Sequence, residues 1–443
     1  MTDDSQIDKA ASLIEMAKRS GADSADAVII RSHSTHVSVR LGKIESTEAS
    51  ESDNFTLRVF VGKKVASVSA NLAAYPRELA ERAIVMAKAL PDSLFEGLAD
   101  KERLVTHPKD LDLFDDFTPQ SHLLAEDALK MEAASLDVQG VKNSGGAATT
   151  YGTSGLVLVT SDGFCGTYRS SCFSRSCSAV SGEGTAMERD YDYTTALHFS
   201  DLEAAEIVGK NAGIRAVRRL GAVRASTGIV NVVFDPRVAR GIAGHIAYMV
   251  NGASVARKTS LLQNLMGERV MKSNVNVTDQ PLKLRGSASR PFDGEGVEGQ
   301  ALSVIENGIL KNWLLSSSSA RELGLETNGH GARSASLVRP ESTNFAVEPG
   351  SVSPHDMIKD LKNGFYVTEL FGHGVDFVTG QYSRGASGFW IENGEITYPV
   401  NEVTLGSDLL HMLAHLTPAN DIDRRYSIAS PTLLIEGMTL AGK

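Results

Sequence analysis

DPRVARGIAGHIAYMVNG, residues 235–252, follows the apolar run STGIVNVVF at 226–234. The run reads as a strand, and Asp235–Pro236 reads as the start of a helix, with aspartate as a good N-cap and proline suited to the first helical position. Val238, Ile242, Ile246 and Val250 recur at i, i+4 and form one apolar stripe, with His245 and Met249 beside it. A zinc-peptidase helix needs two histidines on one face and a glutamate to activate water. Here His245 is followed by Ile246, and no second histidine comes within two turns. The stripe calls for burial, and the single histidine reads as a packed core residue.

Upstream of this junction, residues 5–20 are periodic as an amphipathic helix closed by Gly21. The runs ADAVIIR, THVSVRLGK, FTLRVFVG and KVASVSA alternate apolar and polar as four half-buried strands. Residues 76–90 and 121–135 read as helices, and 91–120, mixed in Pro, Asp and Gly, as a connection. Residues 137–198 are strand-rich with turns expected at NSGG, SDG and SGEG, and 201–222 is a further helix with a basic last turn. Beyond 270 the chain is short strands, with hairpin turns expected at Asn307–Gly308 and Asn393–Gly394. The expectation is two α+β domains. Residues 1–222 hold helices on a small sheet, with a possible sub-boundary near 91–120, and residues 223–443 are strand-rich.

Composition narrows the function. The 443 residues are 42% hydrophobic and 22% charged, ordinary for a globular chain, with a net charge of −10. An acidic chain lacks the basic face that a nucleic-acid binder needs. There is no run of about 18 apolar residues to span a membrane. The N-terminus lacks a signal-peptide pattern, and three cysteines, Cys165, Cys172 and Cys177, fit a reducing compartment. A cytoplasmic protein is expected. The cysteine spacing matches no zinc pattern.

GEGVEG at 294–299 has neither a leading strand nor a following helix, and its two glutamates would repel a pyrophosphate, so dinucleotide binding is rejected. GASVARKT at 252–259 has Arg257 where a phosphate loop needs glycine. His411 and His415 are the one i, i+4 histidine pair, for which Asp408 or Asp421 would be the third metal ligand. His330 and His373 each lie between glycines, as turn punctuation or cleft lining. Ser383 and Ser387 lack the strand–Ser–helix context of a nucleophile elbow. Asp293 and Glu295 form either an acid–base carboxylate pair or, the blander reading, a solvated glycine-rich turn.

Three blocks carry a family likeness: FTLRVFVGKKVASVSA at 55–70, PFDGEGVEGQALSVIENGILKNWLLSSSSARELGLETNG at 291–329, and YSRGASGFWIENGEITYPVNEVTLGSDLL at 382–410. With them the whole chain resembles the TldD/PmbA family of metallopeptidases. The resemblance implies a barrel-like or curled sheet in the second domain and an oligomer. Catalytic members of that family carry His-Glu-x-x-x-His on the helix after the strand–Asp-Pro junction and a downstream cysteine. The PmbA (TldE-like) branch lacks these ligands and pairs with a catalytic member. In one register His245, Ile246 and Val250 stand at the three motif positions; in the other, Gly244, His245 and Met249. Neither register supplies two histidines, and no cysteine follows Cys177.

The implied function is a metal-less subunit that acts in proteolysis of peptides and unfolded proteins with a zinc-bearing paralogue. It would hold no catalytic residue, metal or cofactor of its own. Two other readings stand beside it. One is a stand-alone peptidase built on His411 and His415 or on His373 and Ser383. The other is a peptide-binding homodimer. Cleft-lining residues are expected at Asp293, Glu295, His373, Ser383 and Arg384.

Overall fold

In a computed structural model, residues 4–334 and 337–443 are described. The first half forms one six-stranded antiparallel sheet. Its strands are β1 (Ser24–Arg40), β2 (Lys43–Val61), β3 (Lys64–Asn71), β4 (Val141–Thr160), β5 (Cys165–Ser181) and β6 (Glu188–Ala196), in the order β3-β2-β1-β4-β5-β6. The helices are α1 (Asp4–Arg19), α2 (Pro76–Ala89), α3 (Ser121–Leu136) and α4 (Ala205–Arg218).

Two helix pairs cover two stretches of the sheet. Leu13, Ala17, Ala83 and Ala87 of α1 and α2 pack on Ala27, Ile29, Leu57 and Val59. Ala128 and Met131 of α3 and Val208 and Ala212 of α4 pack on Val39, Ala147 and Ala179. Helices α3 and α4 approach very closely, because a Cβ on Gly209 would lie 1.9 Å from the Met131 carbonyl oxygen. The segment 91–120 runs between α2 and α3, yet β1 pairs with β4 from Asp26–Thr160 to Val39–Ala147, so both sides of that connection share one sheet.

Two details differ from the sequence expectation. ADAVIIR and THVSVR are one strand, not two. The polar Ser32–Thr35 stretch lies between the two helix pairs, and hydrogen bonding to both neighbours carries the strand through it. NSGG is not a turn. It lies inside β4, where the register shifts twice, at Val141/Asn143 and Ser144/Gly146. Those shifts are bulges, which use the same glycine-rich chemistry as a turn.

The second half holds β7 (Gly228–Phe234), α5 (Pro236–Met249), α6 (Gly252–Ala256), β8 (Val277–Asp279), β9 (Leu302–Glu306), β10 (Ile309–Leu310), α7 (Ser317–Leu323), β11 (Gly331–Ser334), β12 (Leu337–Pro340) and β13 (Phe345–Val347). It continues with α8 (Pro354–Lys359), β14 (Asn363–Val375), β15 (Gln381–Glu392), β16 (Glu395–Asp408), α9 (Leu409–Ala414), β17 (Leu416–Pro418), β18 (Ile428–Ala429) and β19 (Leu433–Ala441). Strands β16, β15, β14, β7 and β19 follow one another, and β16 pairs back onto β19 to close a five-stranded barrel. Strands β10-β9-β8-β13-β18 form a second sheet. The hairpin turns at Asn307–Gly308 and Asn393–Gly394 both place two successive residues at positive φ (50° and 77°; 50° and 84°), the backbone that Asn-Gly favours.

Helix α5 lies between the barrel and the second sheet. Its Ile242, Ile246 and Val250 share one core with Phe234, Phe365 and Leu405 of the barrel and Val277, Ile305 and Phe345 of the sheet. None of the helices in the described residues is long and apolar enough to cross a membrane.

Candidate functional site

Helix α5 starts where β7 leaves the barrel. The Asp235 side chain accepts the Arg237 backbone N–H at 3.0 Å, and Tyr366 of β14 donates its hydroxyl to the same carboxylate at 3.0 Å. The apolar stripe then fixes the roll of the helix. Ile242, Ile246, Met249 and Val250 turn into the core, and Gly241, Gly244, His245 and Tyr248 are left on the outer side.

His245 sits edge-on to two rings, Phe377 at 5.5 Å and Tyr382 at 6.1 Å between centroids, and Tyr248 packs on Phe377 at 4.2 Å. Its Nδ1 is buried without a partner, as is the hydroxyl of Tyr382. Burial, and secondarily the charge of Arg384, pull the His245 imidazole down to about 4, so it is neutral at pH 7. A metal is a poor fit here. Ile246 and Val250 in one register, or Gly244 and Met249 in the other, offer no hard or imidazole donor. Ile246, Met249 and Val250 are each 0% exposed. Among the described residues, no group of three or more His, Cys, Asp or Glu side chains is placed to hold a metal ion.

The other sequence candidates are dispersed. His411 and His415 stack at 4.1 Å, but their ring nitrogens bond to backbone: His411 Nε2 to the Glu436 carbonyl at 3.0 Å and His415 Nδ1 to the His411 carbonyl at 2.9 Å. Asp408 caps α9, and both oxygens of Asp421 accept from Thr432, so neither is a spare ligand. His373 and Ser383 are exposed on neighbouring strands β14 and β15, where Ser383 pairs with Gly374. Among the described residues no hydrogen bond joins His373 to Ser383. Arg384 points its guanidinium to the Phe371 carbonyl at 3.3 Å and acts on His245 through its charge. His330 is fully buried, with Nε2 3.2 Å from Asp279 and Nδ1 3.0 Å from Asn328 Oδ1.

Asp293 and Glu295 are neighbours in space, but not in a solvated turn. They are 2% and 3% exposed. Gly331, the first residue of β11, passes so close that a Cβ there would touch both carboxylates at 2.9 Å. Asp293 accepts the backbone N–H groups of Glu295, Val297 and Gly331 at 2.8–3.0 Å, and Glu295 accepts that of Ser317 at 2.8 Å. Burial and then the Asp293 charge push Glu295 up to about 7, with Arg58 opposing them. The turn-like sequence is local. The burial is not: Gly331 and Ser317 close on the pair from later in the chain, and Phe164 and Arg58 come to it from the first half.

Sequence reasoning missed a charged cleft at the start of α5. It has a volume of about 410 Å³ and lies between β6 and α4 on one side and α5 and residues 421–430 on the other. Arg237 donates to Asp190 at 3.0 Å and lies 3.3 Å from Asp235. Arg425 pairs with Asp423 at 2.7 Å and Glu203 at 3.2 Å, and Arg215 pairs with Asp192. Arg240 stacks over the Tyr426 ring at 3.7 Å and lies 5.5 Å from that of Tyr193. Arg237–Asp235 and Arg425–Asp423 are each two residues apart, but no sequence signal joins them into one cleft, because Asp190 and Glu203 come from the other half of the chain and Tyr426 lies nearly 190 residues beyond Arg240.

Comparison with known proteins follows the same architecture. Residues 25–87, 114–220 and 227–442 match, in turn, the models of domain 1, the central domain and the C-terminal domain of the PmbA/TldA metallopeptidases. The chain is 36% identical over 434 residues to a metalloprotease PmbA homolog of Haemophilus influenzae, covering 97% of this chain and 94% of that one. It is 34% identical to metalloprotease PmbA of Escherichia coli O157:H7, covering 95% and 93%. The chain belongs to the PmbA/TldD metallopeptidase family. Among solved structures, the fold is shared with TldE from Thermococcus kodakarensis (TM-score 0.85, 20% identity, 98% and 100% coverage). It is also shared with a Bacteroides thetaiotaomicron protein (TM-score 0.92, 24% identity, full coverage of both chains). Within the family's C-terminal domain, α5 is the helix that follows the strand–Asp-Pro junction.

Proposed function

We propose that this chain is the metal-less subunit of a TldD/PmbA-type protease, acting on peptides or unfolded proteins together with a zinc-bearing paralogue. One observation carries the reading. Along α5 and at its C-cap, the three positions at which catalytic members hold metal, base and metal are occupied by His245, Ile246 and Val250, or by Gly244, His245 and Met249, so neither register has two histidines, and the three large apolar side chains among them are sealed in the core. A histidine could not replace them without burying an imidazole among alkyl groups. Family membership supplies the proteolytic context. The likeness to PmbA-type relatives spans nearly the whole chain, whereas a TldD homolog of Haemophilus influenzae aligns at 27% over 258 residues, 54% of this chain.

The test has two parts. Elemental mass spectrometry of the chain purified without chelators should find less than about a tenth of an equivalent of transition metal. Peptidase activity should appear when the chain is mixed with a zinc-bearing TldD-type paralogue and be absent from this chain alone. Close to one equivalent of zinc, or a paralogue whose activity is indifferent to this chain, overturns the proposal.

A further inference from the structure

We propose that the cleft at the start of α5 anchors the C-terminal carboxylate of a peptide, with Arg240 as the residue that holds it. The proposal rests on reading the chain as a peptide-handling protein, and it adds a specific site and ligand group to that reading.

In this cleft Arg215, Arg237 and Arg425 each have a carboxylate partner within 3.3 Å. Asp421 is taken up by Thr432, and Asp235 by Arg237 and Tyr366. Arg240 is the exception. Among the described residues it makes no ion pair and no hydrogen bond; its guanidinium stacks on aromatic faces, and Asp423, itself paired with Arg425, feels its charge only from beyond ion-pair distance. Tyr426 in turn is fixed by its hydroxyl, which donates to the Tyr193 carbonyl at 3.0 Å. Stacking uses the flat face of a guanidinium and leaves its in-plane N–H donors unspent. A planar, pre-positioned fork with free donors is the geometry that takes a carboxylate in two parallel hydrogen bonds.

The surroundings select among anions. Five acidic side chains line the cleft against four arginines. That excess of negative charge opposes any anion, but a doubly charged phosphate about twice as strongly as a single carboxylate, whose one charge the open guanidinium matches. The size, about 410 Å³, falls within the range of small-ligand sites, which run from roughly 300 to 1,000 Å³.

The way out of the cleft favours a peptide. The outer side of α5 continues from Arg240 through Gly241 and Gly244 to His245 and Tyr248. A Cβ at Gly241 would meet nothing within 4 Å, and one at Gly244 only Ile428 Cδ1 at 3.8 Å. The helix surface beside the anchor is therefore open at Gly241 and lightly covered at Gly244, before Phe377 closes over His245 and Tyr248, which leaves room for the residue or two that precede a terminal carboxylate.

The experiment is calorimetric titration of the full-length chain with N-acetyl-trialanine as the free acid and as the C-terminal amide, and with inorganic phosphate. The wild type should bind the free acid at least about tenfold more tightly than the amide or phosphate, the difference expected for a charge-assisted bidentate contact. Arg240→Gln should abolish that preference at an unchanged melting temperature. Should Arg240→Gln fail to fold, Arg240→Lys, which keeps the charge and loses the fork, should still weaken the free acid selectively. Equal binding of acid and amide, tighter binding of the amide or of phosphate, a preference that survives in Arg240→Gln, or no binding of either peptide up to about 10 mM each overturns the anchor. Metal content and activation of a paralogue by the wild-type chain do not involve this titration, so the anchor and the subunit reading fail separately.

Discussion

Arg333 Nη1 donates to Asp26 Oδ1 at 2.8 Å across 307 residues of chain. The other oxygen of the same carboxylate takes Arg58 Nε at 3.0 Å and Nη2 at 2.6 Å. Glu96 lies 3.7 Å from Arg58 and 3.0 Å from Arg339. Asp26 and Arg58 are 0% and 1% exposed, so this carboxylate is the counter-charge for two arginines where the N-terminal sheet meets the second half. Burial alone would raise the Asp26 carboxyl, but Arg333 and Arg58 together hold it below its ordinary value.

Asp26→Asn should therefore cost about 3–5 kcal/mol, the usual penalty for stranding buried charge, measured by denaturant unfolding. The sign with pH follows from the lowered carboxyl. Its contribution is complete above the unfolded value near 3.8 and is lost as pH falls through the lower folded value. The gap between wild type and variant should stay level from pH 5 to 8 and narrow only in stronger acid. A gap that is absent at pH 7 would show that the arginines are satisfied without Asp26.

Glu295 behaves in the opposite sense. Its folded carboxyl is raised from 4.5 to about 7, so between those values the folded protein holds a proton that the unfolded chain has released. Stability should then fall as pH rises through that window. Glu295→Gln should remove this slope and stabilise the chain at pH 8 by on the order of 3 kcal/mol, because a shift of one unit is worth about 1.4 kcal/mol. Melting curves of both proteins from pH 4.5 to 8 decide it; parallel curves would contradict the burial argument.

His245 should stay neutral through the physiological range. In an NMR titration its ring signals should move around pH 4 and be flat near 6.5. Because the folded value lies below the unfolded one, its protonation costs no stability above pH 6.5 and destabilises the fold increasingly as pH falls toward 4. Arg384→Ala should bring the midpoint up part of the way and leave the larger effect of burial in place. A midpoint near 6.5 in the wild type would mean that the Phe377–Tyr382 enclosure is open to water.

Gly209→Ala tests the close approach of α4 to α3. The added methyl would sit 1.9 Å from the Met131 carbonyl oxygen, which is backbone and has no rotamer to retreat into. Although alanine is the better helix former, the variant should lose about 1–3 kcal/mol in denaturant unfolding. A more stable variant would mean that the helices can separate at no cost.

The reading from sequence was most complete where the signal was local. Asp235–Pro236, the i, i+4 stripe of α5 and the two Asn-Gly hairpins were legible because capping, periodicity and turn type depend on residues within a few positions of one another. The same stripe already decided that Ile246 and Val250 face a core. Strand ends were harder. The polar Ser32–Thr35 looked like a break, and the glycines at 145 and 146 looked like a turn, because a ladder to two neighbours can carry a strand through both.

The remainder depended on long-range packing. Asp293 and Glu295 read as a hydrated turn, and only the arrival of Gly331 and of Arg58 from the opposite half removes the water that would have kept them ordinary carboxylates. The Arg240 stack on Tyr426 likewise joins residues that no window or period connects. Sequence determined the longer helices and the main strand runs, that α5 carries no peptidase ligand pair, and which family the chain resembles. Tertiary structure decided which charges are buried and which guanidinium stays open, because desolvation and charge pairing are set by what a distant part of the chain brings within a few ångströms.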